Sequence, residues 1–173
     1  MNDKLATVYP SSVRDAMSRW PTGIAVITTA DQEGWRWGCT ADSFGPVSTR
    51  PPMVSVCLAR ENRCRPAFAA ADVFAVNVLR DGQEELARQF ACPEADAFVD
   101  AATEPGIEGV PLLCDVSVRM ECRTTSVVPA GDHVMLLGEV LRVRTGPGEP
   151  LVYLHRHFRR LHRVDPLPAA AGF

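Results

Sequence analysis

The sequence predicts a mainly β protein, a closed or split antiparallel barrel with a few peripheral helices. Three observations carry this expectation. β-branched and apolar runs recur at short intervals, among them Thr22 to Thr29, Met53 to Ala59 and Val73 to Leu79. With 14 Pro and 12 Gly in 173 residues, turns interrupt the chain too often for a helical bundle. The helical stretches are few and do not alternate regularly with strands, which disfavours a doubly wound parallel sheet. An open sheet must also hide its edges, so pairing of two copies across an open side is expected.

Taken in order, residues 11–20 read as a helix capped by Ser11 or Ser12, with Val13, Met17 and Trp20 at helical spacing and Pro21 as its stop. Thr22 to Thr29 is the first strand, and Asp31-Gln32-Glu33-Gly34 is a turn. Trp35 to Ser43 is its hairpin partner, with Trp35, Trp37 and Cys39 on one face. Phe44 to Arg50 reads as a loop closed by Pro51-Pro52, and Met53 to Ala59 as a strongly apolar strand. Arg63 to Ala71 and Gln83 to Phe90 read as helices on either side of the strand Val73 to Leu79. Residues 91–111 are loop-like. Two long strands follow, Leu113 to Val127 and His133 to Val143, then the turn Gly146 to Pro150 and an aromatic, basic segment, Leu151 to Arg163. The chain therefore reads as one domain, 11–163, between an N-terminal tail, 1–10, and a C-terminal tail, 164–173.

Composition excludes several function classes. A net charge of −3 gives no electrostatic footprint for nucleic acid. No charge-free apolar stretch approaches the ~20 residues needed to cross a bilayer. The polar start Met1-Asn2-Asp3-Lys4 is followed by no apolar signal core, and the six cysteines form no CxxC pair. A cytoplasmic protein with reduced, mostly buried thiols is expected.

The chemistry-bearing residues narrow the choice further. His155 and His157 would share a strand face, but Arg156, Arg159, Arg160 and Arg163 surround them. That field opposes a dication, and no metal site is expected. No nucleophile elbow is present, and no motif ties a cysteine to His133. Neither a G-x-G-x-x-G turn nor a G-x-x-x-x-G-K-[ST] loop occurs. Two segments differ from plain scaffold. Thr40-Ala41-Asp42-Ser43-Phe44 is a run of small and hydroxylated residues at a strand end, where a flat ligand can approach the backbone. Gly131-Asp132-His133 is a turn that sets a histidine at the rim.

In order along the chain, these segments resemble the short-chain flavin reductases of the FMN-binding split-barrel superfamily. The resemblance rests on Trp20-Pro21-Thr22-Gly23-Ile24-Ala25-Val26-Ile27-Thr28-Thr29, on Gly38-Cys39-Thr40-Ala41-Asp42-Ser43-Phe44, on Val47-Ser48 with Pro51-Pro52, and on Cys57-Leu58-Ala59-Arg60 with Asn62-Arg63-Cys64. Phe74 to Leu79, Ala87-Arg88-Gln89-Phe90 and Gly131-Asp132-His133 with Leu137-Gly138-Glu139-Val140 complete it, so that it runs from about Val13 to Leu161.

The resemblance implies a homodimeric split barrel that reduces FMN or FAD with NADH or NADPH and supplies reduced flavin to a partner monooxygenase or halogenase. It implies that Thr40, Ala41, Asp42 and Ser43 lie along the isoalloxazine edge. Cys57, Leu58 and Ala59 would support the ribityl side, and Asn62 and Cys64 would approach the phosphate. Gln89 and Phe90 would cover the flavin, and His133 would meet the nicotinamide. The chain departs from the family pattern at Asp42, where Asn is usual, and at Asn62 and Cys64, where Ser and Thr are common. Asp42 accepts hydrogen bonds but cannot donate them, and Arg36, Arg88 and Arg123 are the candidate cations beside it. A flavoenzyme acting on its own organic substrate and a non-catalytic flavin-binding accessory protein are the rival readings.

Overall fold

The computed structural model describes residues 9–92 and 96–161. The tail expected at 164–173, His162 and most of the tail expected at 1–10 lie outside the described residues. Helix α1 (Pro10–Met17) is followed by β1 (Thr22–Gly23), β2 (Ala25–Ala30), β3 (Arg36–Ala41), β4 (Gly45–Thr49) and β5 (Pro52–Ala59). Next come α2 (Arg65–Ala70), β6 (Val73–Val78), α3 (Glu84–Ala91), β7 (Thr103–Pro105) and β8 (Pro111–Leu113). The chain ends in β9 (Val118–Ala130), β10 (His133–Thr145), β11 (Val152–Leu154) and β12 (His157–Arg159). Seven strands form one antiparallel sheet in the order β3-β2-β6-β9-β10-β5-β4.

This sheet wraps around a filling of side chains. Ala25 and Ile27 from β2, Cys39 and Ala41 from β3, Val54, Val56 and Leu58 from β5, Phe74 and Val76 from β6, and Leu136 from β10 form one buried cluster. β3 and β5 have no ladder between them in the sheet order, yet their side chains meet in this cluster. Packing, not hydrogen bonding, closes that side, which makes the barrel split. Phe68 of α2 and the adjacent Cys64 are buried in the same filling. β10 passes Phe74 at Gly138, where a Cβ would stand 2.5 Å from the ring, so the close approach requires glycine.

The apolar runs are continuous because both faces of the strands are covered. Ile24 and Val26 pack outward with Ala87 and Phe90 of α3 and with Phe98, Leu113, Val116 and Leu151. Gly38 lets α3 sit close, since a Cβ there would come 2.7 Å from the Phe90 ring. Asn77 is wholly buried on this outer side. Its Nδ2 donates to Val26 O at 3.0 Å and to Thr28 Oγ1 at 3.1 Å, and its Oδ1 accepts from Leu113 N at 2.9 Å. Thr28 in turn donates to Pro111 O at 2.5 Å. The network pins β8 and β2 to β6.

Several elements differ from expectation. The loop expected at 44–50 is an edge strand, β4, in register with β5 except for an irregularity between Pro46 and Ser48; an edge strand tolerates the proline that a central strand excludes. The strand expected from Leu113 to Val127 is broken. Asp115 adopts a left-handed φ of 55°, and its backbone oxygen accepts from Arg80 Nε at 3.0 Å and Gln83 Nε2 at 2.9 Å. Leu113 ends β8, whose three residues are all buried, and β9 starts only at Val118. α1 starts at Pro10 with no side-chain cap; proline preset for the first helical turn takes that place. Trp35 lies outside β3 and is exposed, whereas Trp37 and Cys39 do face the barrel filling. Trp35 N and Trp37 Nε1 both donate to Asp31 at 2.8 Å. These bonds, the indole's first, hold the Asp31 carboxyl below the usual carboxylate range. His155 and His157 do not share a strand face: His155 sits in the turn with a φ of 53°, ahead of β12.

Candidate active site

A cleft of about 880 Å³ opens between α1, the β11–β12 turn and the rim of the barrel. The rim supplies Asp42 and Ser43, which follow β3, and His133, which opens β10. α1 and the chain after it supply Arg14 and Trp20, and the turn hairpin supplies Tyr153 and Arg156. A cleft of this size holds a drug-sized ligand. Asp42 and Ser43 are thus brought together with His133, which is distant from them in sequence.

Local chemistry positions each of them. His133 pairs in register with Ala59 of β5 and Ala130 of β9. Arg60 N donates to Asp132 O at 2.9 Å, which joins the end of β5 to the histidine turn. Gly131 makes that turn with a φ of 62°. The His133 ring contacts Asp132 Oδ1 through Nδ1 at 2.7 Å; the histidine holds the Asp132 carboxyl below its ordinary range. Nε2 is therefore the ring nitrogen left to meet a ligand. Ser43 Oγ accepts from Cys57 N at 3.1 Å and donates to Cys57 O at 3.0 Å. Its hydroxyl braces the rim against β5, leaving its backbone to the cleft. Asp42 is exposed, and among the described residues no hydrogen bond or ion pair holds its carboxylate.

The remaining candidates fall in other places. The Thr40 hydroxyl donates to Ala87 O at 2.7 Å, toward α3. Ala41 and Leu58 face the barrel filling, so only their backbone could meet a ligand. Cys57 and Ala59 are half-buried on the other face of β5. Asn62 Oδ1 accepts from Cys64 N at 2.8 Å, and the Cys64 thiol is buried in the filling beside Gly38 O. Gln89 donates through Nε2 to Ala97 O at 3.0 Å. Phe90 stands edge-on to Phe98 with ring centroids 5.0 Å apart. Neither Gln89 nor Phe90 lines the cleft, because α3 turns both toward the outer cluster. Nor does any of the three arginines expected beside Asp42. Arg36 lies over the Phe98 ring, Arg88 pairs with Glu85 and lies over Phe158, and Arg123 is exposed on β9.

Sequence reasoning missed the cations that do line the cleft, Arg14 and Arg156. Arg156 Nη2 donates to Asp15 at 2.7 Å, and His155 N donates to Ser18 O at 2.6 Å, so the turn grips α1. His155 and Arg156 carry left-handed φ values of 53° and 62°. Two successive non-glycine residues in that region are costly and mark a constrained turn. The arginine cluster was visible in sequence, but only as a field opposing metals; nothing local linked it to residues 14–18.

The cleft therefore combines aromatic walls from Trp20 and Tyr153, two guanidinium groups, an open backbone edge at Asp42–Ser43 and one histidine. A family model described as a flavin reductase like domain matches residues 17–162. The chain belongs to that family. Among flavin reductase relatives, it is 42% identical to the NADH:riboflavin 5'-phosphate oxidoreductase of Streptomyces pristinaespiralis, over 94% of this chain and 93% of that one. It is 40% identical to the actinorhodin polyketide dimerase of Streptomyces coelicolor over 92% of each. Its fold is similar to the NADH:FAD oxidoreductase SgcE6 of Streptomyces globisporus C-1027, solved in complex with NAD and FAD fragments, with a TM-score of 0.86 at 32% identity over 92% of this chain and 99% of that one.

A flavin fits the residues present. A flat ring can lie between aromatic side chains, its edge can meet the backbone at Asp42–Ser43, and Arg14 and Arg156 suit an anionic tail.

Proposed function

We propose that this family member is an NAD(P)H:flavin oxidoreductase that reduces FMN or FAD by hydride transfer and supplies the product to a separate monooxygenase or halogenase. The observation that carries this reading is the placement of Asp42, Ser43 and His133 in one cleft that also holds Trp20, Tyr153, Arg14 and the Arg156–Asp15 pair. The relatives support it: one is named for reduction of riboflavin 5'-phosphate and a structural neighbour for reduction of FAD.

When bound, the flavin supplies the acceptor for the hydride. The chain's residues bind and orient. His133 presents Nε2 to the nicotinamide side, with Asp132 fixing the ring through Nδ1. Arg14 and Arg156 meet phosphate charge. The backbone at Asp42–Ser43 meets the ring edge, braced through Cys57. Trp20 and Tyr153 exclude water from the reacting face. A hydride needs no general base, so no residue is assigned that role; proximity and order of stacking do the work.

Anaerobic stopped-flow with NADH and free flavin tests this. Reduction of many flavin equivalents per chain is the expected result; none would remove the reading. The dimerase relative favours a second reading, a flavoenzyme with its own organic substrate. Such an enzyme would keep its yellow colour through gel filtration and oxidise nicotinamide slowly.

The homodimer belongs to the same proposal. Val13 and Trp35 are large, apolar and exposed, and a second copy would cover such side chains. Analytical ultracentrifugation at micromolar protein should give twice the chain's 18.9 kDa; a single species at that mass would refute it. No helix among the described residues is long and apolar enough to cross a membrane, and the six cysteines are free. A cytoplasmic location is part of the same proposal.

A further inference from the structure

An arginine stands in a turn that suits glycine. The β11–β12 hairpin closes through two residues, His155 and Arg156, between the paired Leu154 and His157. Both carry positive φ values, 53° and 62°. Two positive values mark a type I′ turn, for which Asn-Gly is the favoured sequence. The chain tolerates that strain and thereby sets a guanidinium at the cleft, and an outlier of this kind points to use of its side chain. The guanidinium is already engaged. Arg156 Nη2 donates to Asp15 Oδ1 at 2.7 Å, and Asp15 lines the cleft as well.

We propose, resting on the reductase reading, that Asp15 is a specificity-determining residue that confines the hydride donor to NADH. By holding Arg156 it denies the 2′-phosphate of NADPH a cation.

The ionisable lining of the cleft is Arg14, Asp15, Asp42, His133 and Arg156. Leaving the imidazole aside, the guanidiniums and carboxylates cancel, so the cleft holds no surplus of positive charge. The pyrophosphate of either dinucleotide is already a dianion, and the flavin's phosphate adds to it. Arg14 and the N–H groups that Arg156 does not give to Asp15 can meet those oxygens, since a guanidinium carries five donors. A 2′-phosphate brings a second dianion. Beside Arg156 it must displace the Asp15 carboxylate or lie against it. A ribose hydroxyl meets no such conflict, because it can donate to a carboxylate. The same opposition sorts the two dinucleotides at other sites, where a carboxylate takes the hydroxyl and an arginine takes the phosphate.

Steady-state reduction of FMN by NADH and by NADPH tests this, read as the ratio of kcat/KM for NADPH to that for NADH. The unaltered chain should favour NADH. In Asp15→Asn the ratio should rise roughly tenfold, the effect of removing one unit charge from beside a dianion. α1 buries none of its residues, so this substitution leaves the barrel filling intact. An unaltered chain with a ratio near one, or a ratio unmoved in Asp15→Asn, would overturn the proposal. Adding Arg156→Gly to Asp15→Asn should abolish most of the gain, and glycine suits the positive φ, so the turn still forms. A gain kept in full without Arg156 would overturn the proposal too. Titration calorimetry with NAD⁺ and NADP⁺ separates the two readings. A chain that reduces no flavin with either donor would sink the reductase reading. The dinucleotide preference would then stand if Asp15→Asn tightens NADP⁺ relative to NAD⁺, and fall if it does not or if neither binds.

Discussion

Asn77 and Asp42 are polar residues on or beside two strands of one sheet, β6 and β3, that flank β2, and the chain treats them in opposite ways. Asn77 is sealed from water and meets Val26, Thr28 and Leu113 with good geometry. Asp42 stands at the mouth of the cleft with no partner among the described residues. The first is a polar group that folding must satisfy, since an unpaired amide in an apolar layer costs several times what its bonds add. The second is left to solvent or to a ligand. A polar residue the chain satisfies itself holds the structure together, and one it leaves open is available for binding.

The strongest way to break this comparison is Asn77→Ala. It strands Leu113 N–H and leaves Val26 and Thr28 short of a donor, so unfolding in urea should show a loss of about 3 kcal/mol. A loss below about 1 kcal/mol would mean that the layer is wetter than its burial indicates. Next is His133→Ala, at the open region. It should weaken nicotinamide use by roughly 1–3 kcal/mol while leaving flavin binding and stability nearly unchanged. Steady-state kinetics decide, and unchanged KM for NADH with unchanged turnover would exclude His133 from the site. The smallest effect is expected from Asp42→Asn. Removing a carboxylate beside the ring and adding a donor should tighten flavin binding and raise the flavin potential. Because Asp42 is exposed, water screens the charge and the gain should stay below about 1 kcal/mol. Equal affinities and midpoint potentials in a redox titration would make Asp42 a solvated residue at a strand exit.

The barrel was legible where local signals are strong. Ala25 to Thr29 of the first apolar run, the apolar Met53 to Ala59 and the long segments Val118 to Val127 and His133 to Val143 all became strands of the main sheet, whereas Thr22–Gly23 joined the smaller sheet with β11 and β12. β4 was not legible, because Pro46 and its flanking glycine read as a loop and only the neighbouring β5 makes them an edge. Within the candidate site, a run of small and hydroxylated residues at a strand end marked Asp42–Ser43, and the Gly131-Asp132 turn marked His133. The direction of Gln89 and Phe90 depended on which sheet face α3 covers, and sequence does not contain that. The partnership of Arg156 with Asp15 spans 141 residues. It is a product of tertiary register.

The helix that borders the cleft buries none of its residues. Two contacts of its own chain tie it to the hairpin turn, the exposed Arg156–Asp15 pair and His155 N to Ser18 O. An exposed ion pair contributes at most about 1 kcal/mol, so the opening free energy of α1 is small next to that of the barrel. Its amide hydrogens should exchange with deuterium early, while those of β2 and β6 remain protected until the whole domain opens. Salt and a ligand held by Arg14 or Arg156 would then change that exchange rate in opposite directions, which makes isotope uptake along residues 10–17 a direct clock for how often the mouth opens.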